Sequence, residues 1–523
     1  MPDPKVYENE VKLDTAILAP SEGKLSMYPN VIGQVARPTT VDYGNPRQAM
    51  IHVAPGEDIS RAIIAMSEAG GGTVQLLPIT YFVSQDISVL SNITLQGAGI
   101  GNTIIDFGAG AFSVNIQGSS RSTSGTATAT EGSVTVTGVS TTFTNARAGD
   151  MFYVTLNKTN FYSEIASIES DTSLTLIDAW PMPNVATVTF SIIGATRNVG
   201  VRNLTVQNSA ASGGTLNVDR VINCFFENLR VYKNTVGGGI EINTMLDSEF
   251  RNVESSYNGN ATSDHGFEMQ SMKRTSFYNC SANGNAGDGF NFASAGTSES
   301  GFYSCVADGN GSDGFSLDGD RLTFIACRAA GNDANGFITT STSDRVAFSS
   351  CFTIDNGSDG IEVAGDDTTL FGCILDNNDS YGINIASTAD NTRIINCSFV
   401  NTGTGTITDG GTNTYYHNVG MGTFTAANGA NNNIDISESR FVRITGPTAA
   451  FSISGIAGGI NGREVYLYNA VAFDFTITND ATSTAANRIL TLTGADVVLT
   501  GVSVARLIYN ATDARWILLG TQG

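Results

Sequence analysis

Basic residues are scarce in this chain of 523 residues: 27 Lys and Arg stand against 49 Asp and Glu, a formal charge of −22. A nucleic-acid partner needs a basic patch or stripe to neutralise phosphates, and an anionic membrane surface attracts the same kind of patch. Neither is expected as a partner. No stretch approaches the roughly 18 consecutive apolar residues of a membrane-spanning helix, so no membrane insertion is expected. The polar segment Met1–Leu13 lacks the apolar run of a secretory signal peptide. The chain therefore reads as a soluble protein made in a cytoplasm. Proline is rare (11) and histidine rarer (3). Cysteine is present in an odd number, 7, all between Cys224 and Cys397. A disulfide framework scatters cysteines through loops, whereas these fall at strand positions, so buried free thiols are expected. No Cys or His group has zinc-ligand spacing, and neither a metal nor a cofactor is expected.

Glycine is abundant (58), and Thr, Ser, Asn and Val dominate long stretches. That mixture suits short strands joined by tight turns and suits long helices poorly. The length calls for several domains or an extended repeat, and a repeat is there. Segments beginning at Cys280, Cys305, Cys327, Cys351 and Cys373 share one pattern: Cys, four residues, Asn, three residues, Gly, then Phe or Ile. The asparagines are Asn285, Asn310, Asn332, Asn356 and Asn378; the glycines are Gly289, Gly314, Gly336, Gly360 and Gly382. Leu204, Leu229, Val253 and Cys397 extend the first column at the same 22 to 27 residue spacing. In such a stack Cys is a small inward hydrophobe, with neighbours roughly 4.8 Å above and below. The Asn column is expected to hydrogen-bond rung to rung in a left-handed backbone, and the Gly column to supply positive φ at the turn. The alternation that follows, as in Phe267-Glu-Met-Gln270, sends Phe inward and its neighbour outward.

The fold class read from this is all-β: a right-handed parallel β-helix, a solenoid, with a small inserted module and a C-terminal domain. Residues 1–50 have weak periodicity and read as an N-terminal arm. Residues 51–118 hold a capping helix, with Asp58 as N-cap and Ile59, Ala62, Ile63 and Met66 as its apolar stripe, followed by the first rungs. Residues 119–194 lose the rung period and read as a β-barrel-like insertion, 195–416 as the main β-helix, and 417–523 as a C-terminal β-sandwich domain. Asp320, Asp344, Asp366 and Asp390 recur once per rung as turn residues, two of them followed by neutralising Arg321 and Arg345.

The helix cap, the strand Gly71–Pro78 (Gly-Gly-Thr-Val-Gln-Leu-Leu-Pro) and the stacked rungs resemble the pectate-lyase-like β-helix superfamily. Ala148-Gly-Asp150 followed by Ser170–Leu176 resembles a small β module found inside phage spikes. Leu507-Ile-Tyr-Asn510 through Trp516 resembles the β-sandwich ends of phage tail fibres. The whole arrangement resembles a bacteriophage tailspike, a virion receptor-binding protein. That resemblance implies a homotrimer in the virion tail, assembled in the host cytoplasm and joined to phage tail or baseplate proteins through the N-terminal arm. It implies recognition, and often cutting, of a bacterial surface polysaccharide, O-antigen or capsule. The superfamily hosts hydrolases, lyases, epimerases and pure binders, so the activity must be argued from a site.

Two departures from the repeat mark a candidate site. Between Asn258 and Gly266 lie seven residues where regular rungs have three, and the extra residues include Asp264 and His265. The outward column two residues beyond each glycine reads Glu241, Glu268, Asn291, Ser316, Ile338, Glu362 and Asn384. Glu241 and Glu268 are expected on adjacent rungs about 5 Å apart. Carboxylates that close repel unless one is protonated or a cation or ligand is shared, and glycosidases use such a pair. The plain alternative is two solvated glutamates on a sheet face. Glu241, Glu268, Asp264 and His265, with Asp318 as a further acid, are the catalytic candidates; Asn243, Gln270 and Asn291 are the candidate substrate contacts. Endo-glycosidic hydrolysis is the leading function, making the protein a polysaccharide depolymerase. A non-catalytic glycan-binding fibre needs the same polar face without the acid pair. A polysaccharide lyase would draw on His265, Tyr303 and Lys273, and the acidic charge makes its polyanionic substrate less natural.

Overall fold

The computed structural model describes residues 11–13, 16–21, 24–29, 40–42 and 49–522, apart from 122–123, 157–158, 295, 418–420 and 437–438. Val11–Leu13, Ala16–Ser21, Lys24–Pro29 and Thr40–Asp42 form a four-stranded antiparallel sheet; the rest of the expected N-terminal arm lies outside the described residues. The chain divides into two compact units, Met1–Thr323 with Cys327–Phe337, and Phe324–Ala326 with Ile338–Gly523.

In the first unit each rung contributes strands to three parallel sheets. The front sheet includes Val114–Gln117, Leu216–Asp219, Ile240–Ile242, Phe267–Met269, Phe290–Phe292 and Phe315–Leu317. The side sheet is six-stranded, and Val221–Ile222, Met245–Leu246, Met272–Lys273, Thr297–Ser298 and Gly319–Asp320 belong to it. The rear sheet includes Gly200–Gln207, Phe225–Tyr232, Glu249–Ser256, Ser276–Tyr278 and Gly301–Tyr303. The alternating sequence dictates the packing. Phe226, Phe250, Phe277 and Phe302 stack up the rear sheet at 4.4, 4.7 and 4.5 Å between centroids. Phe267, Phe290, Phe315 and Phe337 do the same behind the front sheet at 4.6, 4.7 and 4.5 Å. Each buried ring contributes roughly 1.5–3 kcal/mol from burial alone. That interior holds the front strands rigidly in register.

The asparagine column is a buried amide ladder. Asn258 Nδ2 donates to Asn285 Oδ1 at 3.0 Å, Asn285 to Asn310 at 3.0 Å, and Asn310 to Asn332 at 2.9 Å. Two expectations about this turn need correction. The left-handed residue is the one before each asparagine, as at Tyr257 (φ 55°) and Gly284 (φ 63°). The glycine column has no positive φ at Gly266, Gly289 or Gly314; instead, a Cβ there has no space. At Gly289 it would sit 2.7 Å from the Gly314 oxygen and 2.8 Å from the Ala307 Cβ. Close approach of consecutive rungs, and not backbone conformation, requires glycine.

The helix Ile59–Glu68 is the only α-helix among the described residues. Asp58 Oδ1 accepts from Ser60 N at 2.8 Å, and Ile59, Ala62, Ile63 and Met66 are its buried face. From Ser119 to Gly194 the chain leaves the solenoid for an eight-stranded sheet with its own core, including Phe143, Phe152, Leu174 and Trp180. This sheet packs on the side sheet through Met151, Tyr162, Ile193, Ile222 and Leu246.

Within the second unit, parallel coiling runs through Ile361–Val363, Tyr381–Ile385 and Gly405–Asp409, with Asn356 Nδ2 donating to Asn378 Oδ1 at 2.8 Å. Beyond Met421 a six-stranded and a four-stranded sheet enclose a core with Ile444, Phe475, Leu507 and Trp516. Their first strands still pair in parallel, Met421–Thr425 with Phe441–Thr445, before Glu464–Asn469, Ser503–Asn510 and Arg515–Gln522 close it antiparallel. All seven cysteines are free and buried, but each stands immediately before a strand and not in one, as at Cys280 before Ser281–Asn283 and Cys305 before Val306–Asp308, a correction to the strand positions expected of them. No described helix is long and apolar enough to cross a membrane.

Candidate active site

The front sheet aligns one outward column: Asn115, Asn217, Glu241, Glu268, Asn291 and Ser316 are consecutive register partners. Glu241 and Glu268 are therefore one parallel-strand spacing apart, about 4.8 Å. Their surroundings differ. Both oxygens of Glu241 accept hydrogen bonds, Oε2 from Gly214 N at 3.2 Å and Oε1 from Asn243 Nδ2 at 3.1 Å. Gly213 and Gly214 leave the space for this, since a Cβ on Gly213 would stand 2.8 Å from Glu241 Oε2. Glu268 is partly buried, a correction to the fully solvent-facing position expected of it. Burial, Glu241 and Asp264 push its carboxyl above the usual range, against a hydrogen bond with Gln270. The pair thus divides into an oriented acceptor and a carboxyl that binds its proton more tightly than a solvated glutamate does.

The lengthened loop places Asp264 and His265 beside this column, but buried, at 8% and 9% exposure. Asp264 Oδ2 accepts from Asn260 N at 2.9 Å and Ala261 N at 3.0 Å, so this carboxylate closes the loop's own turn. His265 Nδ1 accepts from Asp288 N at 3.0 Å. The neutral ring then carries its proton on Nε2, which stands 2.6 Å from Asn291 Nδ2; two donors cannot bond, so the amide is turned to present its oxygen there. Burial lowers the His265 pKa, opposed by Asp288 and Asp264. Burial thus works against a charge on His265, whose ring is placed to position Asn291. Asp318 follows Phe315–Leu317, two rungs or about 10 Å beyond Gln270, and is not brought to the pair. Lys273 lies on the side sheet and Tyr303 on the rear sheet, so the lyase candidates do not converge with His265.

Asp219 was not singled out from the sequence. It ends the strand before Ile240–Ile242, where it flanks Asn243. Burial and Glu241 lift its carboxyl above the usual range despite Arg220, whose Nε is 3.4 Å away. The signal was available: Asp219 stands two residues after Asn217, on the outward alternation of that strand. Among the described residues no group of acids, histidines and cysteines is placed to hold a metal ion.

Residues 244–399 match the family described as the right-handed beta helix region. The chain is a right-handed parallel β-solenoid. No curated protein matches its sequence. Among solved structures it is similar to the gp54 tailspike of Acinetobacter baumannii bacteriophage AP22, in complex with A. baumannii capsular saccharide, at 11% identity and TM-score 0.45, over 83% of this chain and 85% of that one. The A-module of the Azotobacter vinelandii mannuronan C-5 epimerase AlgE4 gives 18% identity and TM-score 0.43, over 76% and 91%. PfbA, a surface adhesin of Streptococcus pneumoniae, gives 9% identity and TM-score 0.45, over 88% and 94%. These likenesses concern the fold.

Proposed function

We propose that this β-helix protein is a phage tailspike that binds a bacterial surface polysaccharide and hydrolyses it within the chain, on the front sheet. The observation that carries the chemistry is the unequal pair. Glu268 protonates the leaving glycosidic oxygen, and Glu241, whose oxygens are already acceptors, serves as base or nucleophile. Asn291, oriented by His265, and Asn243 and Gln270, beside the carboxylates, contact sugar hydroxyls. Asp219 extends the acidic run by one rung. The tailspike part of this reading rests on the resemblance of the cap, the inserted module and the C-terminal strands. With it come a homotrimer held through residues 417–523 and virion attachment through residues 1–50. Incubating the protein with purified O-antigens and capsules tests the proposal. New reducing ends are expected; an unsaturated uronate absorbance would mean elimination, and binding without either would mean an adhesin. Light scattering should give three times the chain mass of 54.8 kDa.

A further inference from the structure

Away from the front sheet, three cavities of the first unit meet at Arg274. One, of about 310 Å³, lies between Phe161, Asp178 and Pro181 of the eight-stranded sheet and Lys273, Arg274 and Arg321 of the rungs. A second, about 510 Å³, is bordered by Phe225, Asp247, Glu249, Arg274 and Ser276. A third, about 310 Å³, is bordered by Arg274, Ser276, Ser300, Tyr303 and Thr323. Together they form a trough across five rungs, roughly 20 Å at the parallel-strand spacing.

The turn that forms the trough floor departs from its own rule. The residue there is left-handed in each rung: Asn198, Asn223, Asp247, Arg274, Glu299 and Arg321, with φ between 49° and 56°. Asn and Asp tolerate that conformation; Arg and Glu rarely adopt it. The amide ladder of the first rungs, with Asn223 Nδ2 donating to Asn198 Oδ1 at 2.6 Å, gives way to alternating charge where the cavities open. Asp247 accepts from Arg274 Nε at 2.6 Å, and Arg321 donates to Glu299 at 2.9 Å. Left-handed Arg also occurs at Arg220 and Arg345; what sets this wall apart is the alternating charge paired across consecutive rungs.

The chemistry of the walls names the ligand class. Every cation is matched: Lys273 Nζ and Arg274 Nη1 stand 3.2 and 3.0 Å from Asp178, and Arg321 lies 3.0 Å from Asp320. No positive charge is left over for a uronate or phosphate. What remains is a row of donors and acceptors held in place by one another, with the half-buried hydroxyls of Ser276 and Thr323 beside them. Two aromatic rims flank the row, Phe225 lying over Gly200 and Tyr303 over Gly301. Fixed donors and acceptors between apolar ring surfaces suit sugar hydroxyls and sugar C–H faces. We propose that this trough is a second saccharide-binding site, which holds a neutral stretch of polysaccharide without cutting it. It rests on the glycan reading of the front sheet. The trough carboxylates serve as ion-pair partners, Asp178 to Lys273 and Arg274, Asp247 to Arg274, and Glu299 and Asp320 to Arg321, so they are engaged as acceptors. Burial would raise Asp178, but Lys273 and Arg274 outweigh it and hold it below the usual range.

The test uses the full-length Glu268→Gln protein, so that saccharide survives. The probe is a size ladder of oligosaccharides made by mild acid from the neutral polysaccharide it retains on a glycan array. Native mass spectrometry should count two oligosaccharides per chain. Ser276→Trp, which fills the trough, should leave one, and Tyr303→Ala should weaken the second binding step at least tenfold. One oligosaccharide per chain before and after both substitutions overturns the second site and leaves the front-sheet reading standing. Equal retention of uronate-rich oligosaccharides in the trough overturns its neutral preference. No saccharide retained by any variant overturns both.

Discussion

Replacing Glu268 by Gln removes the titrating carboxyl and little else. The amide keeps the length of the side chain and its place beside Gln270, on a strand whose register with Glu241 is set by buried Phe267 and Met269. General acid catalysis contributes about 10²–10⁴ in rate, or about 3–5 kcal/mol of barrier at 1.36 kcal/mol per decade. Turnover measured by reducing-end release should fall by that factor, with saccharide binding retained. Stability should move the other way. The Glu268 pKa is raised in the folded protein by burial, Glu241 and Asp264, so the folded state holds this proton more tightly than the unfolded chain does. Its contribution is fully present below the unfolded value of about 4.3 and is lost as pH rises through the folded value. Above the folded value an ionised Glu268 therefore costs stability that Gln restores. Melting curves at pH 7 should place Glu268→Gln at or above the parent, with the gap closing near pH 4. Turnover within tenfold of the parent would refute the acid role, and a lower melting temperature at pH 7 would refute the electrostatic account.

His265 should remain neutral at physiological pH. Burial lowers its folded pKa, so stability present above the unfolded value of about 6.5 is lost as pH falls below it; an NMR titration midpoint at or above that value would contradict this. Gly289→Ala should destabilise by about 1–3 kcal/mol, because its Cβ meets the next rung's carbonyl; an unchanged denaturation midpoint would show that the rungs can part. The cysteines should resist alkylation at pH 8 in the native protein, since they are buried and burial pushes Cys224 up to about 12; rapid labelling followed by mass spectrometry would expose an open column.

The solenoid was legible because its repeat is written locally. Cys, Asn and Gly recur at fixed offsets, and the register of Glu241 with Glu268 follows from counting. What the offsets do not carry is the reason for each residue. The need for Gly289 lies in Gly314 and Ala307, on the next rung, and a glycine reads the same whether φ or space demands it. Asp264 was legible as unusual, but its bonds to Asn260 N and Ala261 N depend on how the long loop folds back. The Arg274 trough was least legible, because Asp178 joins Lys273 across 95 residues of chain and no period links them. Parallel coiling beyond Met421 was missed for a related reason: it persists after the marker residues stop.

The eight-stranded sheet leaves and re-enters the solenoid at one place. Ser119 pairs with Gly194, Thr196 Oγ1 donates to the Gln117 oxygen at 2.7 Å, and Asn115 pairs directly with Asn217 as if nothing intervened. The rung order is interrupted only at this seam, although the sheet also packs on Ile222 and Leu246 and reaches Lys273 through Asp178. The seam is thus a cassette port. Exchanging residues 119–194 would swap the wall that carries Phe161 and Asp178 while leaving the Glu241 and Glu268 register untouched, so the two surfaces could change independently.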